Sequence, residues 1–233
     1  MSAKIPSDLI IVVGRQFGSG GRRIGNLLAR IFSLAYYDKE MLAEASEQFG
    51  FSQNIFARCD EKRPSALRAL LTNAFGVGDA YAPGPMSDEA IYSAQSHVIR
   101  ELASRGGCVF VGRSADYILR EHPHVVSIFL SSPIEQRAKA IFGRGDAPTL
   151  EKARELAARC DRAREDFYNY FTGRKWGRSD NYHLSLDTSL LNDEAAVDVI
   201  TKYIEGRFNS PVGSPDKTTD QDTGQDNGGP SEV

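Results

Sequence analysis

Several protein classes are excluded by what this chain has little of. No apolar run approaches the ~20 residues that a membrane-spanning helix needs, and the opening MSAKIPSD is too polar for a secretory leader. A net charge of −3 gives no strong field of one sign, so neither nucleic acid nor an anionic membrane is expected as a partner. Cysteine is scarce: Cys59, Cys108 and Cys160 are far apart and odd in number, matching neither a disulfide framework nor a zinc site. The four histidines form no cluster with metal-ligand spacing, so no protein-held metal is expected. A reducing, cytoplasmic setting fits these absences.

What remains is an ordinary globular composition, 41% hydrophobic and 25% charged, over 233 residues. Residues 1–208 are expected to form one domain, with its core over 8–206. Residues 209–233 hold two valines among Gly, Pro and polar residues, too little apolar area to offset ordering entropy, and are expected to be a disordered tail.

Strand and helix signals alternate along the domain. Leu9–Val13 (LIIVV) is a short β-branched run suited to a strand buried on both faces. Ile24, Leu27, Leu28 and Ile31 then recur at helical spacing, Ala35–Tyr37 is a brief second strand, and Met41, Leu42 and Ala45 begin another helix. Helices are expected over much of 52–75 and a loop over 76–85. A helical stripe (Ile91, Ala94, Val98, Ile99, Leu102) stops at Gly106-Gly107. Strands are expected at Cys108–Val111, Val125–Leu130 and Tyr182–Leu186, a charged helix from Leu150 to Tyr170, and a closing helix over Ala195–Ile204. Such alternation implies a parallel sheet covered on both faces.

Three segments carry chemistry. Gly14–Gly25 (GRQFGSGGRRIG) leaves a strand, turns through Gly18, Gly20 and Gly21, and enters an amphipathic helix. Backbone N–H groups and the positive dipole end at such a helix start form an anion site, and Arg15, Arg22 and Arg23 add charge. The segment departs from G-x-x-x-x-G-K-[ST]: no lysine or Ser/Thr follows Gly20, although Arg22 could supply the charge and Ser19 a nearby hydroxyl. The dinucleotide pattern G-x-G-x-x-G is met no better. Second, Gly112-Arg113-Ser114 ends a buried strand, where open α/β sheets bind ligands, and the planar fork of Arg113 suits a phosphate. Third, Arg154, Arg159, Arg162 and Arg164, interrupted by Asp161, follow the fourth strand, where small-substrate kinases often carry a mobile arginine-bearing lid.

IVVGRQFGSGGRRIG, AYYDKEML, CVFVGRSADYIL, HVVSIFLSSPIEQRAKAI and CDRAREDFYNYFTGRKWGRSDNYHLSLDTSLL, in that order, resemble the cytidylate kinase-like branch of the nucleoside monophosphate kinases over most of residues 8–206. The resemblance implies an α/β P-loop fold with five parallel strands in the order 2-3-1-4-5, flanking helices, a helical insert and a lid. It implies transfer of the ATP γ-phosphoryl group to CMP or dCMP with magnesium. Arg113 falls on the substrate-contacting arginine of the family's Gly-Arg-Asp motif, where Ser114 replaces the aspartate. Asp38 matches the acidic residue ending the second strand, and Lys39 stands where the ordinary enzymes have serine. Arg159, Arg162 and Arg164 fall in the lid's arginine-rich region and, with Arg22, are the candidate catalytic residues. Gly14, Arg15, Gly18, Ser19, Gly20, Gly21, Arg22 and Arg23 are the candidate ATP contacts. A kinase of another small acceptor, or a nucleotide-binding regulatory module without turnover, are the alternative readings.

Overall fold

The computed structural model describes residues 5–51 and 88–209. The helices expected over 52–75, the loop expected over 76–85 and all but the first residue of the expected tail lie outside the described residues. The described elements run β1 (Ile10–Arg15), α1 (Gly21–Ile31), β2 (Ala35–Tyr37), α2 (Lys39–Glu47), α3 (Asp88–Ser104), β3 (Cys108–Val111), α4 (Ala115–Ile118), β4 (Val125–Ser131), α5 (Ile134–Gly143), α6 (Leu150–Thr172), β5 (Leu184–Asp187) and α7 (Asp193–Asn209).

The five strands form one parallel sheet in the order β2-β3-β1-β4-β5. β1 is central because its apolar run is buried on both faces. Ile10 and Val12 point to one side, where they meet Phe110, Leu42 of α2 and Ile91, Val98 and Ile99 of α3. Ile11 and Val13 point to the other, against Val109, Val111, Ile24 and Leu28 of α1, and Ile200 and Ile204 of α7. A period of two with both faces covered reads in sequence as an unbroken apolar run. A third cluster, Ala138, Ile141, Ala147, Ala153 and Ala157, packs α5 on α6.

Local differences from the sequence reading have plain causes. β1 continues two residues past its apolar run, since Gly14 and Arg15 pair with Phe129 and Leu130 of β4. Ile31 lies on the exposed side at the end of α1, so the buried stripe of that helix is Ile24 and Leu28, with Leu27 partly covered. β5 begins at Leu184, two residues late, because Tyr182 packs on Phe129 at 4.9 Å between centroids. α5 follows Pro133 as a ten-residue helix that the periodicity had not disclosed. The arginines expected on a mobile lid ride on α6, a single 23-residue helix opened by Thr149, whose hydroxyl accepts the Lys152 N–H.

Candidate functional site

β1 and β3 are neighbours whose following connections leave in opposite directions, β1 toward β2 and β3 toward β4. A crevice at the carboxyl ends of two such strands is where open α/β sheets bind ligands. The glycine turn Gln16–Gly20 stands on one lip and Gly112-Arg113-Ser114 on the other.

The turn is held from four elements. Gln16 N–H donates to Leu130 O of β4 (3.0 Å). The Ser19 hydroxyl donates to Gln16 O (2.9 Å) and Leu130 O (3.1 Å), and Thr188 Oγ1, just beyond β5, donates to Ser19 O (3.0 Å). From α6, Asp161 accepts the Phe17 N–H at 2.7 Å and a 2.7 Å bond from Arg137 Nη1. From α5, Arg137 in turn donates to Phe17 O (3.0 Å) and, through Nε, to Ser132 O (2.7 Å). Burial raises the pKa of Asp161, while the Phe17 N–H and the Arg137 guanidinium work against that rise. The turn is therefore preformed. It delivers the chain to α1 through Gly20, whose φ of 87° is a left-handed value that glycine adopts readily. α1 has no side-chain cap and no acidic residue in its first turn, so no residue of its own first turn neutralises its N-terminal dipole.

The opposite lip is strained. Gly112, Arg113 and Ser114 have φ of 82°, 63° and 53° in succession, and a left-handed backbone costs a non-glycine residue on the order of 1 kcal/mol. Gly112 N–H still pairs with Val13 O (3.1 Å), and Ser114 O accepts from Tyr117 and Ile118 as α4 begins. The result is a sharp turn that leaves Arg113 only 7% exposed. Arg113 shares a cleft with Arg15, Arg164, Ser114 and Asp116, walled by Phe167, Tyr168, Trp176 and Tyr182. Arg164 Nη1 donates to Arg15 O (3.1 Å), and its guanidinium lies over the Phe17 ring at 5.4 Å.

Asp116 is the carboxyl group of the cleft and was not singled out in the sequence. Burial pushes its pKa up to about 6, against the lowering effect of the Tyr168 hydroxyl that donates to it at 2.8 Å. Three arginines and one carboxyl group line the cleft, so positive charge outnumbers negative there, as an oxyanion site requires.

The remaining sequence candidates lie elsewhere. Arg22 points from the first turn of α1 toward α2, pairs with Glu40 and stands 3.5 Å from Asp38; its side chain is 56% exposed. Burial opposes the charge of Arg22, but Glu40 outweighs it and raises the pKa. Arg23 binds Asp193 of α7 through Nε (2.5 Å) and Nη2 (3.1 Å). Asp38 caps α2, accepting from the N–H groups of Glu40 (3.1 Å) and Met41 (3.2 Å), and Lys39 is the first residue of that helix. Arg159 and Arg162 are exposed on α6 and are not among the residues lining the cleft. Among the described residues no group of three His, Cys, Asp or Glu side chains could hold a metal ion, and no helix is long and apolar enough to cross a membrane.

Comparison with known proteins agrees with this architecture. A crystal structure of an uncharacterized protein from Eubacterium ventriosum superposes with a TM-score of 0.65 at 25% identity, covering 85% of this chain and 99% of that one. A gluconokinase from Sinorhizobium meliloti superposes with a TM-score of 0.50 at 14% identity, over 87% of this chain and 95% of that one. For a shikimate kinase from Acinetobacter baumannii in complex with shikimate the TM-score is 0.49 at 14% identity, over 89% and 97%. No curated protein matches significantly. The sequence matches the cytidylate kinase-like family over residues 10–190, the span that carries the sheet, the glycine turn and the electropositive cleft. The chain belongs to the cytidylate kinase-like family.

Proposed function

We propose that the protein transfers the γ-phosphoryl group of ATP to a nucleoside monophosphate, with CMP or dCMP as the first acceptors to try. The observation that carries this reading is the facing pair at the β1/β3 crevice: an uncapped helix start behind a preformed glycine turn, and the buried Arg113 at the strained end of β3. Phosphoryl transfer asks mainly for positioning and neutralisation of phosphate oxygens, and little covalent chemistry by the protein. On this reading the turn from Gly14 to Gly21 and the first turn of α1, with Arg15 beside it, receive the ATP phosphates. Arg113, Ser114, Asp38 and Lys39 stand on the acceptor side. Arg164 lies between the two, tied to the backbone of Arg15.

Magnesium enters this reading as the ion carried on the ATP phosphates. Among the described residues no group of side chains builds a cage for it. Mg²⁺ is commonly held by phosphate oxygens and water with only one or two protein ligands.

A second reading, transfer to a different small acceptor, draws on Ser114 and Asp116. Serine at 114 removes the family motif's carboxylate there, and a buried carboxyl group two residues on, Asp116, could instead accept a proton from an acceptor hydroxyl. Steady-state ATP consumption with CMP, dCMP, UMP, AMP and a set of small non-nucleotide hydroxyl acceptors, at fixed ATP and magnesium, tests the proposal. Turnover on CMP or dCMP supports it, and turnover only on hydroxyl acceptors favours the second reading. Tight ATP binding without turnover on any of them would identify a regulatory module.

A further inference from the structure

The strict phosphate-loop pattern G-x-x-x-x-G-K-[ST] includes a lysine that this chain lacks at the corresponding position. With Gly20 taken as the second glycine of G-x-x-x-x-G-K-[ST], the pattern places its first glycine at residue 15 and its lysine at residue 21. Here residue 15 is arginine and residue 21 is glycine. The cation and the glycine have exchanged places, and the structure shows that the exchange is physically coupled. The aliphatic stem of Arg15 lies along the start of α1: a Cβ added at Gly21 would fall 2.6 Å from Arg15 Cγ and 2.8 Å from its Cβ. A side chain at 21 and the stem of Arg15 therefore compete for one space, and glycine is the residue that lets the stem pass.

The far end of Arg15 is fixed just as closely. A Cβ at Gly112 would overlap Arg15 Nη1 and fall 2.8 Å from its Cζ. The guanidinium thus lies against the backbone at the end of β3, in the cleft it shares with Arg113 and Arg164. Its backbone carbonyl is held by Arg164. The other two cations near the helix start are already engaged, Arg22 by Glu40 and Asp38 and Arg23 by Asp193.

Resting on the kinase reading above, we infer that Arg15 supplies the positive charge for the ATP β- and γ-phosphates that a loop lysine otherwise supplies, with Gly21 and Gly112 as its accommodating partners. Charge reaches the phosphates from the strand side of the turn and not from the helix. A guanidinium also offers several fixed donors where an ammonium offers a point charge.

The test uses the full chain, with ATP and AMP as probes in titration calorimetry and thermal melting without nucleotide as the folding control. Arg15→Gln keeps most of the stem over Gly21 and removes the charge. ATP affinity should fall about tenfold or more, the worth of one charge-assisted contact, and AMP affinity by less than about threefold, because AMP lacks the outer phosphates. Gly112→Ala should weaken ATP in the same direction by displacing the guanidinium without altering Arg15 itself. Arg22→Ala should leave ATP affinity within about threefold, as expected for an exposed, already paired cation. The transposed variant Arg15→Gly/Gly21→Lys should regain part of the affinity that Arg15→Gly loses. Unchanged ATP affinity in a folded Arg15→Gln protein, or a loss confined to Arg22→Ala, overturns this assignment and leaves the kinase reading standing. Absence of ATP binding by the unaltered chain overturns both.

Discussion

Removing the Asp161 carboxylate should loosen the glycine turn and destabilise the whole domain. Asp161 accepts two bonds at 2.7 Å, from Phe17 N–H and Arg137 Nη1, and the two side chains of the pair are 15% and 7% exposed. In Asp161→Ala the Arg137 guanidinium would keep the carbonyls of Ser132 and Phe17 but lose its counter-charge. Breaking one side of a buried pair typically costs about 3–5 kcal/mol. The remaining exposure of Asp161 and the two surviving carbonyl bonds put the expectation at the lower end, about 3 kcal/mol. For a domain of this size that corresponds to roughly 6–12 °C in Tm. Urea unfolding of the full chain would measure it, and a cycle with Arg137→Met would isolate the pairwise part, expected at about 2 kcal/mol. ATP affinity should fall together with stability, because Phe17 belongs to the turn. A loss below about 0.5 kcal/mol, or two single effects that simply add, would refute the idea that this pair clamps the turn to α5 and α6.

Three further outcomes follow from the same geometry. Gly20→Val should abolish ATP binding in a chain that still shows a native circular dichroism spectrum, since a β-branched residue resists the φ of 87° that starts α1; normal ATP affinity would exclude this turn as the site. Arg113→Ala should raise the acceptor KM about tenfold or more with little change in kcat, the signature of lost uniform binding; a fall in kcat alone would move Arg113 to the transferring side. Asp116 has its carboxyl pKa raised by burial from 3.8 to about 6. The folded state therefore holds that proton more tightly than the unfolded one, and the group's contribution falls by about 3 kcal/mol as pH rises from about 4 to 6. Asp116→Asn should flatten that part of the stability–pH profile, as read from urea midpoints across the range; an unaltered slope would show that Asp116 is not the group responsible.

The sheet was legible because its strands are short apolar runs, LIIVV, CVFV and VVSIFL, each bounded by turn residues. Their spatial order came from the family resemblance, since apolarity alone does not say which strand lies beside which. α5 was missed because its buried residues are Arg137, Ala138 and Ile141, and a buried arginine does not register as part of an apolar stripe. Asp161 read as a break in an arginine series, whereas its partners stand 24 and 144 residues away in the chain. Arg22 and Arg23 read as phosphate ligands for the same reason: their acidic partners, Glu40 and Asp193, come together with them only in three dimensions. The exchange of arginine and glycine between positions 15 and 21 was visible in the letters, but its meaning depends on the stem of Arg15 crossing the start of α1.

The closing helix α7 packs on α1 through Ile200, Ile204, Ile24 and Leu28, and Asp193 at its start holds Arg23. β1 also needs β4, which begins at Val125, on one flank. During synthesis on the ribosome, β1 and α1 therefore wait for α7 before α1 is covered, and for α6 and Thr188 before the turn is held in place. Contacts so distant in sequence slow folding, and the glycine turn cannot complete its hydrogen bonds until Asp161 and Thr188 have been made. A nascent chain stalled before α7 would carry the letters of the site without its shape, leaving the apolar face of α1 exposed to chaperones.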